Sequence, residues 1–165
     1  MKRLFEDCGE KLSCSLRQLS RFTSDALIRS IEVADIDAVA ALWEEAGMAA
    51  SDLSREAADE ITAKLERDPE LFLVAEADDG VVAAMMGTWD GHRGRIKRLA
   101  VRSDLRRGGL GRRMVEELER RFLERGIRRI RLEVWGHNEA GLAFWEEQGY
   151  QLEPEIRYFV RNLDD

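Results

Sequence analysis

Leu99-Ala100-Val101-Arg102-Ser103-Asp104-Leu105-Arg106-Arg107-Gly108-Gly109-Leu110-Gly111-Arg112 is the stretch on which the fold turns. It opens on an apolar strand end and passes through a loop rich in glycine and arginine. It then enters a segment where Leu110, Met114, Val115, Leu118 and Phe122 recur at helical spacing. A helix start leaves about four backbone N–H groups without intrahelical acceptors and carries partial positive charge. Glycines let that backbone come close to a ligand, and Arg106, Arg107, Arg112 and Arg113 surround it with full charges. The pattern predicts an α/β chain with a phosphate-binding loop at a helix mouth. No Gly-Lys-Ser/Thr follows the glycines and no Gly-x-Gly-x-x-Gly is present, so neither the mononucleotide nor the dinucleotide signature applies.

Outward from this stretch the elements alternate. Upstream, Leu71–Ala77 and Val81–Thr88 read as strands joined by the hairpin signal Asp78-Asp79-Gly80, and a turn at Asp90–Gly94 leads into the strand Arg95–Val101. Before them come a short strand, Leu27–Glu32, and two helices. The first has Asp35 as its cap, the stripe Ile36, Val39, Ala40, Trp43, and Gly47 at its end. The second has its cap at Ser51–Ser54, the stripe Ala57, Ile61, Leu65, and a stop near Asp68-Pro69. Downstream, a helix from about Gly109 to Arg125 closes at Gly126, and Arg129–Trp135 alternates as a strand. Asn138 then caps a helix ended by Gly149, with Tyr150–Leu152 and Arg157–Leu163 as closing strands. Residues 1–26 carry only a loose stripe (Leu4, Phe5, Cys8, Leu12, Leu16, Leu19). They read as an N-terminal extension, partly helical or mobile, ahead of one domain at 27–165.

Composition sets bounds on function. Hydrophobic residues make up 44% and charged residues 36% of 165, as expected of a globular domain. The total charge of −7 argues against a nucleic-acid partner, yet Gly91–Arg131 holds 15 Lys/Arg against 5 Asp/Glu. Such a local surplus suits an anionic ligand, although a solvated Arg/Glu helix face explains part of it. Cys8 and Cys14 have no metal-ligand spacing, His92 and His137 lie far from them, and no metal site is expected. No apolar run approaches spanning length and no secretory leader is apparent, so the expected setting is the cytoplasm without a membrane partner.

Arg106, Gly109 and Gly111 fit Arg/Gln-x-x-Gly-x-Gly/Ala, which resembles the pyrophosphate loop of the GNAT N-acetyltransferase superfamily; the Leu99-Ala100-Val101 before it is also typical of that family. Asn138-Glu139-Ala140-Gly141-Leu142-Ala143-Phe144-Trp145-Glu146-Glu147-Gln148-Gly149-Tyr150 resembles the family's Asn-x-x-Ala-x-x-Phe-Tyr-x-x-x-Gly-Phe element. The resemblance covers about Leu27 to Leu163, and the Asp90–Gly94 turn is similar to that of small bacterial members with undefined substrates. It implies a mixed central sheet of about seven strands with four helices, and acetyl-CoA as co-substrate. It further implies a diphosphate held by Arg106, Arg107, Gly108, Gly109, Leu110, Gly111 and Arg112. Backbone groups of Leu99 and Val101 would hold the pantetheine arm, with a backbone N–H near Val101 polarising the thioester carbonyl. Asn138 would bond the arm from the other side; a plain helix cap is the alternative for that residue.

The reaction implied is attack of an amine, on a small molecule or a protein, on the thioester. With a pKa of about 10.4, an alkylamine pays about 4.6 kcal/mol to be neutral at pH 7. Arg95 stands where some relatives carry a Glu base, and Trp145 where many carry a Tyr acid. Neither can take that role. Candidate bases are Glu133, Asp90 and His92, and candidate acids are Tyr150 and Tyr158. Ser103 stands where the family often has Pro. These departures leave open a non-catalytic acyl-CoA-binding module, and the assembly is expected to be a monomer or homodimer.

Overall fold

The structure is a computed structural model that describes residues 25–48, 53–159 and 161. Most of the expected extension, and the cap at Ser51-Asp52, lie outside the described residues. The elements run β1 (Leu27–Ser30), α1 (Ile36–Glu45), α2 (Leu53–Arg67), β2 (Phe72–Ala77), β3 (Gly80–Trp89), β4 (Gly94–Val101), α3 (Leu110–Glu124), β5 (Ile130–Arg131) and α4 (Glu139–Glu147). The sheet order is β1-β2-β3-β4-β5. The first three junctions are antiparallel and β4–β5 is parallel. The chain divides into two compact units: Met1–Leu132, which carries the sheet and α1 to α3, and Glu133–Asp165, which carries α4.

One sheet face packs on α1 and α2. Ile31, Val39, Leu42, Trp43, Ile61, Phe72, Val74, Ala84, Met86 and Ala100 form its core, and Trp43 stacks on Phe72 with ring centroids 5.8 Å apart. The opposite face packs on α3, whose stripe Leu110, Met114, Val115, Leu118, Phe122 is buried throughout, as the periodicity predicts. A Cβ on Gly87 would stand 2.8 Å from Leu118 Cδ1 and 2.9 Å from Phe122 Cζ. Glycine there lets the helix sit close to β3.

Two expectations are corrected. Asp35 does not cap α1 with its side chain. Its carboxylate grips Arg29 through both oxygens, at 2.6 and 2.8 Å, and accepts the Glu32 N–H at 2.8 Å. The Arg29 guanidinium holds Asp35 below the usual carboxylate range, against the opposing effect of burial. The sheet has five strands among the described residues, not about seven. Arg129–Trp135 contributes only the two residues of β5. At the C-terminal end local hydrogen bonds take the backbone groups a ladder would need. The Tyr150 N–H bonds Trp145 O at 3.0 Å and the Ile156 N–H bonds Glu153 O at 3.1 Å. The Arg157 guanidinium bonds Pro154 O. Alternation records a side-chain period; it does not supply a partner strand.

Candidate functional site

The strand β4 changes character midway. Met86 pairs with Lys97, but Ala84 pairs with Ala100, so β4 carries one extra residue opposite Met85. Arg98 accommodates this bulge at φ +52, the left-handed region that side-chain-bearing residues seldom adopt. The extra residue reverses which backbone groups face outward. At the start of the strand the Gly94 N–H bonds Arg129 O at 2.9 Å, towards β5. Past the bulge the Arg102 N–H bonds Val82 O at 2.9 Å, towards β3. Successive residues alternate direction, so Val101 now points away from β3. The β5 ladder ends at the pair Arg95↔Arg131. From Ile96 onward no strand among the described residues pairs with that edge of β4. Val101 therefore presents its amide to an open edge, while its carbonyl accepts from Arg106 Nε at 2.9 Å.

The loop after β4 is exposed but anchored at both ends. Leu105 and Leu110 are buried, at 3% and 1% exposure, and Arg106 to Gly109 lie exposed between them. Arg102 ties the loop to the β2–β3 hairpin, bonding Asp79 and Asp104 at 2.7 Å each. Arg107 at φ +64 and Gly109 at φ +84 both turn left-handed. Gly109 is the N-cap residue of α3, no side chain caps that end, and no acidic residue lies in the first turn. The Arg113 N–H to Gly109 O bond, at 3.1 Å, opens the helical ladder. The amides of Leu110, Gly111 and Arg112 thus have no intrahelical acceptor and emerge at the end of an exposed loop. Of the four arginines around it, Arg106 folds back onto Val101, and Arg113 bonds Ala26 O at 2.9 Å. Arg112 lies 3.5 Å from Glu116, in an exposed pair of little strength, and Arg107 is exposed.

Residues that the sequence reading did not connect with this segment help to hold it in place. Trp43 Nε1 donates to Arg98 O at 3.2 Å, and the Arg98 guanidinium lies 4.8 Å from the centroid of the same indole. Glu45 accepts the Ser103 N–H at 3.2 Å, and its bonds to Ser103 keep its carboxyl below the usual range. A proline at position 103 has no N–H to donate, so the replacement noted in the sequence acquires a purpose. The signal for Trp43 was its place at the end of an apolar stripe, which reads as core.

The remaining candidates divide between the two units. Asp90 shapes its turn by accepting the Arg93 and His92 N–H groups at 2.7 and 2.8 Å. Those amides hold its carboxyl below the usual range, which makes it a poor proton acceptor. In the second unit Asn138 caps α4, its Oδ1 accepting the Gly141 N–H at 2.9 Å. Trp145 meets Tyr150 edge to face, with centroids 5.0 Å apart. Glu133 and Tyr158 are exposed.

A bulged, open-edged β4 that runs into an uncapped helix mouth suits a binder of an anionic ligand, and comparison with known proteins gives the family. Residues 36–150 match the acetyltransferase (GNAT) family, to which the chain belongs. An acetyltransferase of Sodalis glossinidius is 36% identical over 139 residues, covering 82% of this chain and 94% of its own. One from Pectobacterium atrosepticum is 36% identical over 141 residues, covering 84% and 96%. Among solved structures, a predicted acetyltransferase with acetyl-CoA from Clostridium acetobutylicum superposes with a TM-score of 0.69 at 18% identity. It covers 82% of this chain and 96% of its own, a likeness of fold.

Proposed function

We propose that this protein transfers the acetyl group of acetyl-CoA to an amine nitrogen of a small molecule or protein. The observation that carries the reading is the mouth of α3. Three adjacent amides without intrahelical acceptors follow a left-handed glycine, with no capping side chain to fill the place of a ligand. The residues fit a diphosphate: donors without acceptors, positive dipole, and the arginines Arg107 and Arg112 at the surface. Gly108, Gly109, Leu110 and Gly111 would supply backbone and Arg106, Arg107 and Arg112 charge. Leu99 and Val101 would hold the arm along the open edge of β4.

The co-substrate supplies an activated thioester; the rest of the chemistry belongs to the chain. The outward N–H of Val101 would donate to a carbonyl oxygen as charge builds on it, a contribution of several kcal/mol when the donor is preorganised. We assign Glu133 as the base that takes the amine proton, directly or through water, and Tyr150 as the acid for the departing thiolate. A cytoplasmic protein, monomer or homodimer, suits this reading, and no helix among the described residues is long and apolar enough to cross a membrane.

Calorimetry with acetyl-CoA, followed by free-thiol release over an amine panel, tests the proposal. Binding with turnover on at least one amine supports it. Binding with no turnover on any amine, over a broad pH range, turns the reading towards an acyl-CoA-binding module. No binding removes it.

A further inference from the structure

The β4 bulge decides which amide faces the open edge, so whatever fixes the bulge controls the chemistry. Without the extra residue the alternation set at Gly94 would run on, and Ala100 rather than Val101 would face that edge. The bulge is not held by glycine. Arg98 takes the left-handed conformation despite its side chain, a state that persists only where the surroundings impose it. Trp43 is part of those surroundings twice over. Trp43 is 2% exposed and its ring lies flat on Phe72, at 7° between planes. Its Nε1 holds the Arg98 carbonyl at 3.2 Å, and its π face lies 4.8 Å from the Arg98 guanidinium. The same indole therefore fixes the backbone and the side chain of the strained residue, while two residues further along α1 Glu45 holds Ser103 at the far end of the segment.

We propose that Trp43 is a positioning residue for acetyl transfer: by pinning Arg98 in the bulge, its indole N–H aims the Val101 amide at the thioester carbonyl. The inference rests on the role given to Val101 above. It assigns a function to a core residue that is only 2% exposed.

Trp43→Phe tests it, since phenylalanine keeps an aromatic ring against Phe72 and removes the donor. Three readouts apply. In the protein without ligand, amide hydrogen exchange at Ala100, whose N–H faces β3 past the bulge, is expected to quicken at least tenfold. With acetyl-CoA labelled at the acetyl carbonyl, the infrared band, shifted to lower frequency by wild-type protein, is expected to return towards its position in water. The kcat is expected to fall tenfold or more, with acetyl-CoA affinity within threefold of wild type. Phe72→Leu serves as the control: it removes the stack and keeps the donor, so it lowers the melting temperature and leaves the carbonyl band in place. An unchanged band and unchanged exchange in folded Trp43→Phe protein overturn the proposal. So does an equal band shift in both variants, which would make Trp43 a packing residue only. If wild-type protein binds no acetyl-CoA, the functional reading itself fails. The ligand-free exchange measurement still decides whether Trp43 holds the bulge.

Discussion

Replacing Gly109 by alanine separates what the helix mouth does for stability from what it does for a ligand. Gly109 sits at φ +84 and a Cβ built there meets nothing within 4 Å. The folded protein therefore pays only for a left-handed L-residue, roughly 1–2 kcal/mol. In a chain of this size each kcal/mol lowers the melting temperature by about 2–4 °C. Gly126, at the other end of the same helix, provides an internal control: its φ is +76 and its Cβ space is equally empty. Gly126→Ala should carry the same thermal penalty. The two variants must then part company on binding. The Gly109 methyl would occupy the approach to the amides of Leu110, Gly111 and Arg112. Losing one charge-assisted hydrogen bond from such a set costs about 1.5–3 kcal/mol, or roughly tenfold to a hundredfold in Kd. Calorimetry with CoA on both variants, at a temperature where both are folded, reads the difference. Equal affinities for the two would refute the reasoning, whatever the melting temperatures.

Further outcomes follow from the same geometry. Arg106→Ala should weaken CoA by tenfold or more and a pantetheine-only analogue by less, measured by calorimetry with both ligands; equal losses would mean Arg106 acts only by holding Val101 O. Phe122→Ala should cost about 3–5 kcal/mol in denaturant unfolding, since its buried ring fills the space over Gly87 and Gly94. Asp35→Asn should lose about 1–3 kcal/mol at neutral pH, because Asp35 is buried and paired with Arg29. Its folded pKa is depressed, so this stability is present above the unfolded value and disappears as pH falls through the folded one. The gap between wild type and variant should therefore close in acid. The carboxyl of Glu117, lowered to about 2 chiefly by its hydrogen bonds from Arg120 and Arg121, should behave alike. Its half-exposed contribution to holding α3 should fade as pH drops from about 4.5 towards 2, which a pH series of melts on Glu117→Gln would show.

The chain announced its helices and first four strands through periodicity and punctuation. Leu110 to Phe122 could only be one buried helical stripe, and Asp78-Asp79-Gly80 between two apolar runs could only be a hairpin. The exposed loop between β4 and α3 was legible for the same reason, as glycine and arginine set between a strand and an amphipathic helix; its use as a phosphate site is the proposal made above. The bulge was not. It depends on a hydrogen bond across 55 residues, from Trp43 to Arg98, and nothing local marks Arg98 as the residue to turn left-handed. Asp35 was read as a cap because its neighbours are helical, whereas a cation on β1, Arg29, competes for its carboxylate and wins. Tyr150–Leu152 was read as a strand because alternation cannot reveal that Tyr150 spends its amide on the end of α4, while Arg157–Leu163 lies partly outside the described residues.

The central claim is that α3 opens on a diphosphate site beside the outward edge of β4. Amide NMR during titration with CoA tests it most directly. The account predicts saturable shifts that are largest at Leu110, Gly111, Arg112 and Val101, and small at Gly126 and along β1. Saturable binding that leaves those four amides unmoved, or moves another region instead, would contradict it.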